Sequence, residues 1–257
     1  MAWLGKAGQG KAGQGKGQAS HRRADGFSAQ TDNRKAGSMK ARQFQVTMTG
    51  QTPLLMHYDN LDWAGMLEKW GREPSNKKIS VPGDDRTPPW RWIGNLYLNA
   101  GHVCIPSDNL MTMLREGGAK CPTGKKGGTF KRQTQSGLVV DQVAWNLVSS
   151  KGEIKMADIK PLTEEMDFEA HIKAAEKLGF MLFVKRAKIG QAKHVRVRPR
   201  FDVWSCSGTI TTLDETINRD VLQMILDNAG MYCGIGDWRP SSPKSPGSFG
   251  KFTATVK

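Results

Sequence analysis

The sequence lacks any apolar run close to the roughly 18 to 20 residues that a membrane-spanning helix requires. Its first residues also lack the apolar segment that is typical of a secretory signal peptide. We therefore expect a soluble, cytoplasmic protein that has no membrane partner.

Cysteine is scarce and widely spaced: the four residues are Cys104, Cys121, Cys206 and Cys233, with no C-x-x-C pair. His102 is the only histidine close to one of them, and its spacing from Cys104 is not that of a zinc site. The pattern predicts reduced structural thiols, with a zinc site built from distant segments as the alternative. We expect neither a metal nor a cofactor.

Phosphate-binding loops are also missing. No segment matches G-x-x-x-x-G-K-[ST], including the glycine-rich stretch 117–128. The other glycine-rich stretch, which begins after Cys233, follows a predicted helix and does not open one, so it is not a dinucleotide-binding fingerprint. A nucleotide-hydrolysing motor is therefore not expected.

Acidic residues are too few to balance the basic ones. The chain has 38 Lys+Arg against 24 Asp+Glu, a formal charge of +14, which favours a polyanion or an acidic membrane surface as the partner. Residues 1–38 repeat Gly, Lys, Ala and Gln and have little to bury, so they are predicted to form a disordered basic arm. That arm is interpreted as a solvated tail or as a non-specific tether to nucleic acid.

Residues 39–257 mix strand and helix patterns in an order that predicts an α+β domain, with an antiparallel sheet and helices on one face. The strands are expected at 42–50, 103–105, 180–188, 194–200, 203–212 and 249–256, with a turn at Gly190–Gln191. The helices are expected at 61–71 with Asn60 as N-cap, at 90–98, from Ser107 to Gly117–Gly118, at 165–178, and after a cap at Asp214 or Thr216.

The basic strand at 194–200, HVRVRPR, is the strongest functional signal. Period-two alternation places His194, Arg196, Arg198 and Arg200 on one face, about 7 Å apart, which is close to the spacing of phosphates in an extended single strand. The alternative interpretation is a solvated outer face of a sheet. The cations that precede the strand join the candidate nucleic-acid-binding set: Lys185, Arg186, Lys188 and Lys193.

Segment 119–137 has no apolar period and no acid, so it is predicted to be a long mobile basic loop. Its candidate phosphate contacts are Lys125, Lys126, Lys131 and Arg132.

Phe201 and Trp204 lie near the basic strand and are candidates for stacking on bases, although strand parity favours a core position for Phe201 and leaves Trp204 undecided. The acidic pairs Asp84–Asp85 and Glu164–Glu165 sit in polar segments and are predicted to form solvated turns.

A glycine-rich loop precedes the final predicted strand and would let backbone amides approach an anion, although an ordinary turn is an equal alternative. Its candidate residues are Gly234, Gly236, Arg239, Lys244, Gly247 and Gly250.

This loop, ending in GSFGKF, and the opening strand that leads into GQTPLL at 50–55 resemble the RAMP superfamily of CRISPR effector proteins. The resemblance implies a ferredoxin-like, RRM-type fold and a relationship to the backbone subunits that polymerise along guide RNA, or to a phage or mobile-element relative. By analogy, the 119–137 loop would grip or splay the strand.

We therefore expect a protein that coats single-stranded RNA or DNA as a head-to-tail oligomer or filament. Some RAMP members cleave RNA without metal through a histidine, so the resemblance also implies an alternative, a metal-independent endoribonuclease with His57 as its catalytic residue and Tyr58 beside it. A structural protein whose basic face binds an acidic protein partner is the third possibility.

Overall fold

A computed structural model describes residues 40–189 and 192–257, so the predicted arm and the predicted turn at Gly190–Gln191 lie outside the described residues. The strands are β1 (Arg42–Gly50), β2 (Leu54–Leu55), β3 (Leu98–Asn99), β4 (His102–Pro106), β5 (Leu138–Val140), β6 (Ala144–Ser149), β7 (Gly152–Glu153), β8 (Met181–Ile189), β9 (Ala192–Phe201), β10 (Trp204–Thr212) and β11 (Phe252–Val256). The helices are α1 (Leu61–Arg72), α2 (Pro74–Lys77), α3 (Ser107–Lys120), α4 (Lys131–Ser136), α5 (Met156–Ile159), α6 (Phe168–Lys177) and α7 (Arg219–Asn228). Two 3₁₀ turns, Pro89–Asn95 and Lys160–Thr163, and a π-helical turn, Ala229–Cys233, complete the elements.

The protein is a mixed α+β structure with a large antiparallel sheet. Its strand order is β11-β1-β10-β6-β4-β3, with β5 also paired to β10 and β7 to β6. The alternation predicted for β1 is confirmed, because Val46 and Met48 are fully buried while Gln45 and Thr47 are exposed. Among the described residues, no helix has both the length and the apolarity that a membrane crossing requires.

A smaller antiparallel sheet, in the order β2-β9-β8, carries the basic strand. The alternation predicted for β9 is also confirmed: Val197 and Phe201 are fully buried. On this buried face Phe201 stacks on Phe180 with ring centroids 5.1 Å apart, and Phe180 lies 5.5 Å from Trp92. The arginine side chains of β9 therefore project from the opposite face.

The start of α1 is as predicted, since the Asn60 side chain accepts hydrogen bonds from the backbone N–H groups of Asp62 and Trp63. The cap predicted for α7 is wrong. Asn218 caps it by accepting from the Val221 backbone, while the Asp214 side chain accepts from Thr216 within the preceding turn.

The predicted end of α3 at Gly117–Gly118 is wrong, because the helix continues through both glycines to Lys120. The glycines permit close helix packing: a Cβ at Gly117 would lie 2.7 Å from Ala229 Cβ, and one at Gly118 would lie 2.4 Å from Thr134.

Segment 119–137 is more structured than a mobile loop would be. It contains the end of α3 and all of α4, and Phe130 and Thr134 are buried. A buried aromatic and a helix that packs on α3 fix this segment to the core. Three other predicted boundaries also shift: the helix at 90–98 is the 3₁₀ turn Pro89–Asn95, the helix at 165–178 is α6, and the last strand begins at Phe252.

All four cysteines lie in the described part of the chain and are buried and free, as the prediction of reduced thiols expected. Burial raises the pKa of Cys104 and of Cys233 to about 11, and that of Cys206 to about 12. Thiols with such pKa values stay protonated at neutral pH and behave as small core residues.

Candidate nucleic-acid interface

The hairpin formed by β8 and β9 presents a face of cations and an aromatic ring. Its register pairs Lys185 with Arg196 and Phe183 with Arg198, so these four side chains lie on one face. Lys185 is exposed, and the other three are partly buried. The predicted arginine row is therefore joined by Lys185 from the neighbouring strand.

Three other predicted cations do not belong to this face. Arg186 pairs with Val195, and Lys188 pairs with Lys193, which places all three cations on the valine side of the hairpin. Alternation along a strand separates neighbours such as Lys185 and Arg186, even though both are exposed. The density of basic residues in the sequence therefore overstated the number of cations on one face of the hairpin.

Asp85 is buried at the centre of the arginine row. Its backbone N–H donates to the Val195 carbonyl at 2.9 Å, which docks this segment beside β9. Its carboxylate lies 3.0 Å from Arg196 Nη1, 3.3 Å from Arg91 Nη1 and 3.6 Å from Arg198 Nη1, with only 4% of the side chain exposed. One buried carboxylate thus holds three guanidinium groups together.

The prediction of a solvated turn at Asp84–Asp85 is therefore wrong. Asp84 is also buried, and its carboxylate pairs with Arg86 at 2.6 Å. Hydrogen bonds from that guanidinium lower the pKa of Asp84.

His57 lies beside Arg198 and Asp237. Arg198 Nη2 donates to His57 Nε2 at 3.2 Å, and His57 Nδ1 lies 3.7 Å from Asp237 Oδ2. Burial and the nearby guanidinium lower the pKa of His57. A neutral ring with its proton on Nδ1 satisfies both neighbours, so Nε2 is already occupied as an acceptor.

The opposite wall is made by loop 234–251, which carries Trp238. This residue has a φ of +49°, and Lys185 Nζ lies 4.3 Å from the centre of its ring. Phe183 and Phe249 lie 6.1 and 6.2 Å from the same ring. Together Phe183, Trp238 and Phe249 form an aromatic cluster that continues the cationic face.

Glycines let this loop pack against its neighbours. Gly250 has a φ of +71°, and a Cβ there would lie 1.7 Å from the Ile235 carbonyl oxygen. Arg239 was a candidate binding residue, but its guanidinium pairs with Glu116 of α3 at 3.2 Å. Its role in the structure is to anchor the loop.

The hairpin face and the loop enclose a groove. Its central part has a volume of about 320 Å³ and continues past Trp238 into a further cavity of about 430 Å³. The predicted residues that line its central part are His57, Lys185, Arg196, Arg198 and Lys244.

Several predicted residues lie outside the groove lining. Arg200 pairs with Asp202 at 2.6 Å, and the His194 ring covers Gly83. The four cations of segment 119–137 are exposed near the α3–α4 connection and do not line the groove, namely Lys125, Lys126, Lys131 and Arg132.

Neither of the two stacking candidates lines the groove. Phe201 is in the core, as parity predicted, and Trp204 is buried as well, with its indole N–H donating to the Thr52 carbonyl at 2.9 Å. The aromatic residues that line the groove are instead Trp238 and Phe183, both partly buried, which the sequence interpretation missed. Phe183 shares strand parity with Lys185, and this was the available signal.

A comparison of the sequence with protein-family models finds no match, and a comparison with curated proteins finds none either. Within residues 40–189 and 192–257, no cluster of three or more His, Cys, Asp or Glu side chains is arranged to hold a metal ion. The function is therefore inferred from the geometry of the groove.

Proposed function

We propose that the protein binds single-stranded RNA or DNA in this groove. The observation that carries the proposal is the pairing of two chemistries along one channel. Lys185, Arg196 and Lys244 would serve phosphates, and the Trp238 ring, which lines both cavities and has Lys185 Nζ over one face, would serve a base. Proteins that bind single strands combine a cationic groove with aromatic stacking platforms in this way.

The arrangement favours a single strand over a duplex. In a duplex the bases are stacked on one another, so the Trp238 ring would meet only backbone. An unpaired strand offers base faces to Trp238 while its phosphates lie near Lys185 and Arg196.

The charge balance of the groove supports an anionic ligand. Four cations line its central part, Lys185, Arg196, Arg198 and Lys244, and the nearby carboxylates are those of Asp85 and Asp237. An excess of about two positive charges would neutralise about two phosphates, which predicts a salt slope near −1.4 for a single strand.

The fold supports a relationship to the RAMP superfamily. Strands β11, β1, β10 and β5 are neighbours in that order, with α3 between β1 and β5 in the chain and α7 between β10 and β11. The ferredoxin-like fold that we propose would have this fourth-first-third-second strand order and two crossover helices. We include this relationship in the proposal, together with head-to-tail assembly along the bound strand.

Reversal of charge at Lys185 tests the proposal with a matched control. Arg196 and Arg198 are unsuitable because both are tied to buried Asp85. We expect Lys185→Glu to weaken binding of a labelled 12-nucleotide RNA or DNA by about tenfold, or ~1.4 kcal/mol, since it replaces a phosphate contact by a repulsion.

Arg186→Glu is the control, because it makes the same change in the next residue on the other face of β8. It should weaken binding by less than threefold, and fluorescence anisotropy in 100 mM salt measures both variants. Equal losses for the two variants, or no binding by the unmodified protein, would refute the groove as the binding site.

A further inference from the structure

A second cavity lies beside the groove, under α1. It has a volume of about 460 Å³, within the range of roughly 300 to 1,000 Å³ that is usual for small-molecule pockets. We call it the α1 pocket. Its apolar side is formed mainly by Tyr58, Trp63, Leu67 and Trp90, and its polar end by Asp85, Arg91, Arg196 and Arg198.

The aromatic side of the α1 pocket is well defined. The rings of Trp63 and Trp90 lie 5.8 Å apart at 52°. Gly94 lets α1 approach, because a Cβ there would lie 2.9 Å from Trp63 Cβ. No residue of α1 is fully buried, and Trp63 remains partly accessible at the pocket. A planar ligand would cover aromatic surface that the protein itself leaves accessible.

The polar end carries a net positive charge. The three guanidinium groups of Arg91, Arg196 and Arg198 surround the carboxylate of Asp85. The Asp59 carboxylate also lines the pocket, so three positive charges against two negative ones leave a net charge of about +1. This excess repels a cationic ligand and attracts a phosphate, and guanidinium groups bind phosphate well because their N–H groups are planar and paired.

The α1 pocket and the groove share residues. His57, Arg196 and Arg198 line both cavities. If the phosphates of a bound strand pass Arg196, rotation of a single nucleotide out of the strand would place its base in the α1 pocket.

We infer that the α1 pocket receives one nucleotide, with its base against Trp63 and Trp90 and its phosphate near Arg91, Arg196 and Arg198. This inference rests on the proposed function, because the strand in the groove supplies the nucleotide. The same base-and-phosphate chemistry would come either from a nucleotide within the strand or from a free mononucleotide.

Base binding can be separated from phosphate binding with two oligomers that have the same number of phosphates. One is a 12-nucleotide oligo(dT), and the other is a 12-unit strand of abasic deoxyribose analogues. We expect Trp63→Leu, which keeps apolar volume but removes the ring, to weaken binding of oligo(dT) about tenfold, as loss of one stacked base does. Binding of the abasic strand should change by less than twofold, and Trp63→Phe should restore affinity for oligo(dT).

Trp70→Leu is the matched control, because Trp70 is a partly buried tryptophan on the same helix that does not line the α1 pocket. It should leave both affinities unchanged. Equal effects of the Trp63 and Trp70 variants, or equal losses for the two strands, would overturn the inference while leaving the proposed function intact. If the unmodified protein binds neither oligo(dT) nor the abasic strand, the proposed function is refuted.

Thymidine monophosphate, added as a competitor, identifies the source of the nucleotide. If millimolar thymidine monophosphate removes the difference between unmodified protein and Trp63→Leu, a free nucleotide competes for the pocket with the nucleotide of the strand. If the tenfold difference persists in its presence, the pocket takes a nucleotide within the strand.

Discussion

Replacement of Asp85 by asparagine should destabilise the fold, because its buried carboxylate pairs with three guanidinium groups. The carboxylate is 4% exposed, accepts a hydrogen bond from Arg196 at 3.0 Å, and lies within 3.6 Å of Arg91 and Arg198. Asparagine keeps the volume but removes the charge, and its amide N–H₂ would face a guanidinium. Removal of one partner from a buried ion pair costs about 3–5 kcal/mol.

The lower end of that range applies here, because the guanidinium groups keep some contact with water: 13%, 26% and 33% of the Arg198, Arg196 and Arg91 side chains is exposed. We therefore expect a loss of about 3 kcal/mol in the free energy of unfolding, or ~6–12 °C in Tm for a domain of this size. Urea and thermal unfolding, followed by circular dichroism, measure both quantities.

Asp84→Asn provides the control for this prediction. Asp84 is the adjacent residue, but its carboxylate pairs with Arg86, whose side chain is 48% exposed and only two positions away. The expected loss is about 1 kcal/mol, because a partly exposed pair contributes little. If the two variants differ by less than 0.5 kcal/mol, roughly the error of such measurements, the argument that Asp85 organises the arginine row is wrong.

Three further predictions concern other parts of the molecule. Burial lowers the pKa of His171, whose Nδ1 accepts an indole N–H at 3.1 Å. The contribution of this residue to stability should therefore be complete above the unfolded pKa of about 6.5 and be lost as pH drops through the lower folded pKa. Urea unfolding between pH 7.5 and 5 measures this loss, and His171→Gln should show a smaller pH dependence. Gly250→Ala should lower the free energy of unfolding by about 3 kcal/mol or more, because a Cβ at Gly250 would clash with a carbonyl oxygen. Gly101→Ala, at a φ of +77° in open space, should lower it by about 1 kcal/mol. Thermal unfolding compares the two variants. Labelled RNA should remain intact in EDTA, because His57 Nε2 already accepts from Arg198; cleavage that disappears in His57→Ala would contradict this.

Local patterns predicted the elements whose own residues determine them. The alternation of buried and exposed side chains in β1 and β9, and the N-cap at Asn60, could be predicted because each depends on residues that are neighbours in the sequence. The cap of α7 was not, because Asp214, Thr216 and Asn218 all have suitable side chains and only the backbone path selects one.

The candidate site was only partly predictable. Strand parity gave the arginine face, but Asp85 lies 111 positions before Arg196, and no local pattern links them. The aromatic cluster was unpredictable for the same reason, because Trp238 and Lys185 are distant in the sequence and meet only when the loop folds over the hairpin. Such pairings are set by tertiary contacts, which composition and periodicity do not report.

The partnership with Asp85 changes what the arginine row contributes to binding. Free arginine side chains carry about 2 kcal/mol of rotamer entropy each, and part of it is lost when they grip a phosphate. Arg196 and Arg198 are already held by the buried carboxylate, so much of this ordering occurs on folding. Asp85 cancels one charge of the row, yet it presents the remaining donors in fixed positions at the junction of the groove and the α1 pocket. Lys185, by contrast, is exposed and contacts the Trp238 ring, not a buried carboxylate, which is why reversing its charge should weaken binding without unfolding the protein.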